Sequence, residues 1–92
     1  MITNDEPSEV CAFVLLTIEI DSKEKIMDAL KAIPEVKEAH LLDGVYDIIA
    51  RVESDTMLNL KDAIIRKIKQ LEEVRSSLTM IVTPRAREKK MR

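Results

Sequence analysis

The stretch VCAFVLLTIEI, residues 10–20, decides the fold. Apolar residues occupy both parities through most of it, and β-branched residues recur. The run is short for a helix. It predicts a strand buried on both faces, and hence a strand at the centre of a sheet. The rest of the chain must then supply a layer for each face.

Downstream, Asp21 is placed to accept from the first free N–H groups of a helix, and Glu24 completes a capping-box spacing. Ile26, Met27, Ala29, Leu30 and Ile33 recur at helical spacing and form its apolar stripe. Pro34 ends it, because the residue before proline resists the helical region. Residues 36–42 predict a second strand nearer an edge. The sequence Asp43-Gly44-Val45 predicts a turn in which Gly44 is free to take positive φ. Residues 46–52 predict a third strand, with Ile48, Ala50 and Val52 on one face. The short connection predicts an antiparallel hairpin.

Ser54 or Asp55 is expected to cap a second helix, whose stripe is Met57, Leu60, Ile64, Ile68 and Leu71. VRSSLTMIV, residues 74–82, predicts the last strand, which Pro84 stops. The order is β-α-β-β-α-β, a split βαβ pattern of the ferredoxin-like, α+β class. Right-handed crossovers put both helices on one face of a four-stranded antiparallel sheet. The opposite face then lacks cover although its residues are apolar. A second copy of the sheet is the simplest cover, so burial alone predicts a dimeric α/β sandwich.

Composition narrows the function. The 92 residues make one small domain, with 46% hydrophobic and 35% charged residues, which marks a folded chain. Phe13 and Tyr46 are the only aromatics, so base stacking on the sheet is a poor fit. The net charge of −2 supplies no global basic field. Five of the last eight residues, RAREKKMR, are Lys or Arg; a solvated end is the plainer reading of this tail, and phosphate or an acidic surface its alternative. A single cysteine, Cys11, excludes an intrachain disulfide. The polar start, MITNDEPSE, lacks the pattern of a signal peptide, and no apolar run reaches transmembrane length. A cytoplasmic location is therefore expected. Residues 1–9 read as a flexible leader, 10–83 as the domain and 84–92 as a basic tail.

Catalytic signals are thin. His40 is the only histidine, and it has no ligand-type neighbour at metal spacing. A nucleophilic Cys11–His40 pair needs spatial contact and a third, orienting group. Glu72–Glu73 reads as a solvated helix end. No phosphate-binding or zinc-protease motif occurs. The expectation is a non-enzyme without cofactor or metal. The rival is a small dimeric enzyme using His40 and Arg51 around an internal pocket.

The remaining candidate is LLDGVYDIIARV, residues 41–52. Gly44 removes a side chain from the turn, so backbone N–H groups can be approached. Tyr46 adds a ring and a hydroxyl, and Asp47 a carboxylate for an ammonium group. Exposed amides and an acid together suit a free amino acid, although an Asp-Gly pair is also an ordinary hairpin signal.

These residues resemble a known family. LLDGVYDIIARV is similar to the Gly-x-Tyr-Asp signature of the effector domain of Lrp/AsnC transcription regulators, the RAM domain. VRSSLTMIV resembles that family's closing strand, with Ser77 where Thr is usual and Thr79 matching. IPEVKEAHLL, residues 33–42, fits as well. The resemblance implies amino-acid effectors bound between subunits, contacted by Gly44, Tyr46, Asp47, Ser77 and Thr79. It also implies homodimers, often joined as a ring octamer. Full-length members carry an N-terminal helix-turn-helix, whereas nine residues precede the first strand here. A stand-alone effector module is therefore expected. Such a module does not read DNA sequence directly, and full-length Lrp/AsnC regulators are its candidate partners.

Overall fold

A computed structural model describes residues 10–82. The leader and the basic tail expected from sequence lie outside them. The elements are β1 (Val10–Ile18), α1 (Lys23–Lys31), β2 (Val36–Leu41), β3 (Ile48–Ser54), α2 (Met57–Ala63) and β4 (Val74–Val82). They build one antiparallel sheet in the order β2-β3-β1-β4. The ferredoxin-like βαββαβ arrangement is therefore present, with β1 central and β2 and β4 at the edges.

Strand β1 shows why. Ala12, Val14, Leu16 and Ile18 face the helices and are buried. Ile48, Ala50 and Val52 of β3 join them, and Ile26, Leu30, Leu60, Ile64 and Ile68 pack down from the helices. The other parity of β1 is only half-buried. Cross-strand partners share a face, so the register gathers Phe13, Leu15, Ile49, Leu78 and Met80 on the side away from the helices. Leu78 and Met80 remain 43% and 46% exposed there.

Both helix starts differ from the sequence reading. Asp21 does not cap α1; it takes a positive φ of 65° in the preceding turn. Asp is one of the few side chains that tolerates this region. Ser22 is the N-terminal flanking residue, and its hydroxyl donates back to the Glu19 carbonyl. For α2 the cap is Thr56, whose hydroxyl oxygen accepts from the Asn59 N–H at 3.0 Å. Asp55 instead accepts from the Asn59 side-chain amide at 2.9 Å.

The second helix is also less regular than its stripe suggests. From Ile64 to Ile68 it widens into a π-helical turn, closed by the Lys69 N–H on the Ile64 carbonyl. Leu60, Ile64 and Ile68 recur every four residues, which overshoots a 3.6-residue turn. A wider turn cancels that drift and keeps all three on the sheet.

Replacing Thr56 by Ala should lower stability by about 1 kcal/mol, the usual cost of a lost N-cap. Ser54→Ala should change it by less than about 0.5 kcal/mol, as at ordinary surface sites. Urea unfolding of the two variants distinguishes the structural cap from the one expected from sequence.

Candidate functional site

The turn between β2 and β3 carries three of the five residues expected to contact a ligand, Gly44, Tyr46 and Asp47. The Leu42 N–H donates to the Asp47 carbonyl at 2.8 Å, which closes a loop of Asp43, Gly44, Val45 and Tyr46. Loops of this length are commonly built on a type I turn, which needs no positive φ. Gly44 accordingly does not adopt one. A Cβ added at Gly44 would meet nothing within 4 Å. The expected left-handed glycine is thus corrected: this is a longer loop than a two-residue Asp-Gly hairpin. Tyr46 and Asp47 also precede β3 rather than belonging to it.

Asp47 ties this loop to the sheet centre. Its backbone N–H donates to the Leu16 carbonyl at 2.8 Å. Its carboxylate Oδ2 accepts from the Ile18 N–H at 2.9 Å. One carboxylate oxygen thus holds the end of β1 in place. The Asp47 side chain is half-committed to structure before any ligand arrives. Tyr46 is half-buried beside it, while Val45 is 86% exposed at the tip.

Ser77 and Thr79 lie elsewhere. Ser77 pairs with Leu16 and Thr79 with Val14, both across β1 from β3. Two strand spacings therefore separate Asp47 from the Ser77 position, about 10 Å. Within one chain the five residues do not close a single pocket. Thr79 instead lines a groove of ≈ 210 Å³ between α2 and β4, with Lys61, Ile64, Ile65, Lys69 and Ile81. Sequence reasoning passed over this groove. Its signal was Ile65, an apolar residue off the helix stripe, four residues from Lys61 and from Lys69.

The catalytic alternatives do not assemble. His40 projects from the edge strand opposite Ile49, while Cys11 lies opposite Glu53. That offset of four residues along the sheet is about 13 Å before any sideways distance is added. His40 is 66% exposed and contacts Glu38 at 3.2 Å. Arg51 bridges Glu38, at 3.0 Å, and Glu53. These four side chains form a ladder on the open sheet face. Hydrogen bonds from His40, and then Arg51, hold the Glu38 carboxyl below its ordinary range. Glu72 and Glu73 lie in the turn just ahead of β4 rather than at a helix end, and Glu73 forms an ion pair with Lys25 at 2.7 Å. Among the described residues no group of His, Cys, Asp and Glu could hold a metal ion.

The model of the Lrp/AsnC ligand-binding domain matches residues 11–91. The chain belongs to this family. It is 30% identical over 74 residues to the regulatory protein AsnC of Haemophilus influenzae, covering 79% of this chain and 49% of that protein. It is 27% identical over 73 residues to an uncharacterised helix-turn-helix regulator of Pyrococcus furiosus, covering 76% and 49%. The chain thus spans about half the length of the curated relatives it matches. Among solved structures, FFRP-DM1 superposes with a TM-score of 0.78 at 39% identity, covering 80% of this chain and 99% of that one. The hypothetical protein PHS023 of Pyrococcus horikoshii gives 0.77 at 39% identity, covering 80% and 89%. Membership makes this a regulatory ligand-binding domain, in line with the effector-domain resemblance. Among the described residues no helix is long and apolar enough to cross a membrane.

Two measurements probe the site's construction. Asp47→Ala leaves the Ile18 N–H without its charged acceptor and should destabilise the domain by about 1.5–3 kcal/mol in urea unfolding. Gly44→Ala should stay within about 0.5 kcal/mol of the parent. Acid stability follows from the carboxylates. Hydrogen bonds from Lys67 to Glu35, from His40 to Glu38, from Asn59 to Asp55 and from Lys25 to Glu73 lower all four pKa values. Lowered folded values stabilise the protein above the unfolded values and lose that effect as pH falls through the folded ones. The melting temperature should therefore decline once pH drops below about 4.5.

Proposed function

We propose that this domain is an effector-binding and oligomerisation module of Lrp/AsnC type. It senses amino acids or related small molecules and thereby modulates transcription regulators. The observation that carries this reading is the family match over residues 11–91. The turn chemistry agrees with it: backbone amides around Gly44, the Tyr46 hydroxyl and the uncommitted Asp47 oxygen suit an ammonium carboxylate. A structural relative from Neisseria meningitidis, 18% identical, was solved as a complex with L-Met. Because Asp47 and Thr79 sit apart in one chain, a ligand touching both requires surfaces from two subunits.

Pairing of subunits follows from the open sheet face. Phe13, Leu15, Ile49, Leu78 and Met80 would be covered by the same face of a second copy about a two-fold axis. Regulators of the family, sharing this sheet, are the natural heterologous partners, and the domain then acts through them rather than by reading DNA itself. A second role is that of an assembly partner of such regulators that needs no ligand.

Isothermal titration against the twenty amino acids, after a thermal-shift screen, tests the sensing role. At least one should raise the melting temperature, and Thr79→Val should weaken that ligand at least tenfold. No response from any amino acid leaves only the assembly role. Leu78→Glu combined with Met80→Glu should convert the protein from a dimer or multiples of it to a 10.5 kDa monomer in light scattering. A dimer that survives both changes rules out pairing through this face.

A further inference from the structure

The open sheet face is apolar at one side and carries an unbalanced set of charges at the other. Register lays it out in rows. Leu78, Leu15, Ile49 and His40 share one row, and Met80, Phe13, Arg51 and Glu38 the next. Val82, Cys11 and Glu53 form a third. His40 and Arg51 therefore adjoin the apolar patch directly, as the cross-strand partners of Ile49 and Phe13. The charged side chains run in a single chain of contacts. His40 meets Glu38 at 3.2 Å, Glu38 meets Arg51 at 3.0 Å, and Arg51 meets Glu53. With a neutral imidazole this strip sets two carboxylates against one guanidinium, an excess of one negative charge. With a protonated imidazole it alternates plus, minus, plus, minus from His40 to Glu53, and it balances. Glu38 keeps its charge across the neutral range, because hydrogen bonds from His40, and then Arg51, hold its carboxyl below its ordinary range. Imidazole is the side chain that ordinarily changes charge between about pH 5 and 8. Among the described residues, β1 adds only Cys11, opposite Glu53 and within electrostatic reach of Arg51. The residues of β4 on this face, Ser76, Leu78, Met80 and Val82, carry no charge, and both helices pack on the other face.

We propose that pairing of two copies through this face takes up a proton from solvent at His40 of each, so that the pair tightens as the medium acidifies. In a single copy His40 and Glu38 are exposed, and water screens the excess charge. A second copy laid on Phe13, Leu15, Ile49, Leu78 and Met80 displaces water from the side chains that border them. Two strips then bring two excess negative charges into one interface. A charge that loses its water without a partner is costly, whereas a fully paired strip is not. Protonated imidazoles supply the missing charge at the free end of each strip. The protonated form is thus favoured in the pair, and association weakens as pH rises through the range in which imidazole titrates. The inference rests on the reading of the open face as the pairing surface, but not on any ligand.

The test is the dimer dissociation constant of the ligand-free full chain, read by fluorescence-detected sedimentation at constant ionic strength. The parent should pair at least tenfold more tightly at about pH 6 than at about pH 8. His40→Gln keeps a hydrogen-bonding group without the charge. It should pair equally at both values, and no more tightly than the parent does at the higher one. Glu38→Gln removes the excess charge by another route. It should also lose the pH response, and at the higher pH it should pair at least tenfold more tightly than the parent. A gain from deleting one half of an ion pair does not arise from residues that only brace the sheet. Cys11→Ser should keep the parent's response, which assigns the titration to His40. A parent with one dissociation constant at both values, a response that survives His40→Gln, or weaker pairing of Glu38→Gln at the higher pH overturns the proton uptake. A dimer without pH response that Leu78→Glu with Met80→Glu still breaks defeats this inference alone. A chain that stays monomeric at both values defeats the pairing, and the inference falls with it.

Discussion

Everything in this domain depends on β1 being paired along both edges while apolar on both faces. Its hydrogen bonds to β3 and β4 place it at the centre of the sheet. Its even-numbered residues from Ala12 to Ile18 then form the floor on which both helices pack. Burial of Val14, Leu16 and Ile18 contributes about 1.5–3 kcal/mol each, so the helix face is strongly determined. The odd-numbered residues meet no helix. The same strand that organises the monomer therefore leaves it incomplete, and the apolar side chains of Phe13 and Leu15 continue into Leu78 and Met80 on the neighbouring strand.

Where β1 ends, its last N–H is taken by Asp47, and this contact links the core to the surface loop. A backbone donor at the end of a strand must find its partner in a neighbouring backbone, a side chain or water. Here the partner belongs to the loop that carries Tyr46 and Val45, so the loop's position is set by the best-packed strand in the protein. The carboxylate thus has a structural duty in addition to any contact with a ligand. Loss of binding on its removal is ambiguous by itself, which makes Thr79, away from this anchor, the cleaner probe of the proposed ligand site.

Legibility in the sequence followed the strength of the local pattern. The bounds of β4, Val74–Val82, are readable because its β-branched and apolar run is compact. The buried face of β3 is readable because Ile48, Ala50 and Val52 alternate strictly. Helix starts are harder. Asp21, Ser54 and Asp55 are all competent caps in isolation, and tertiary placement chose Ser22 and Thr56 as the flanking residues instead. The Gly44 turn misled for a related reason. An Asp-Gly pair has a strong two-residue hairpin preference, but the Leu42–Asp47 bond sets a longer loop and removes the need for positive φ. The candidate residues were legible as a family signature, whereas their separation by β1 was not. Sequence spacing carries no record of which strands come to lie between two residues.

That separation is informative about assembly. A sheet face that pairs with itself about a two-fold axis closes after two copies and leaves no further valence. Any larger assembly must therefore use other surfaces, and the β2 and β4 edges and the β2–β3 loop lie outside the Leu78–Met80 face. The Asp47 contacts to Leu16 and Ile18 fix that loop to the sheet, and the π-helical turn at Ile64–Ile68 packs on the same sheet, so these surfaces keep one orientation from copy to copy.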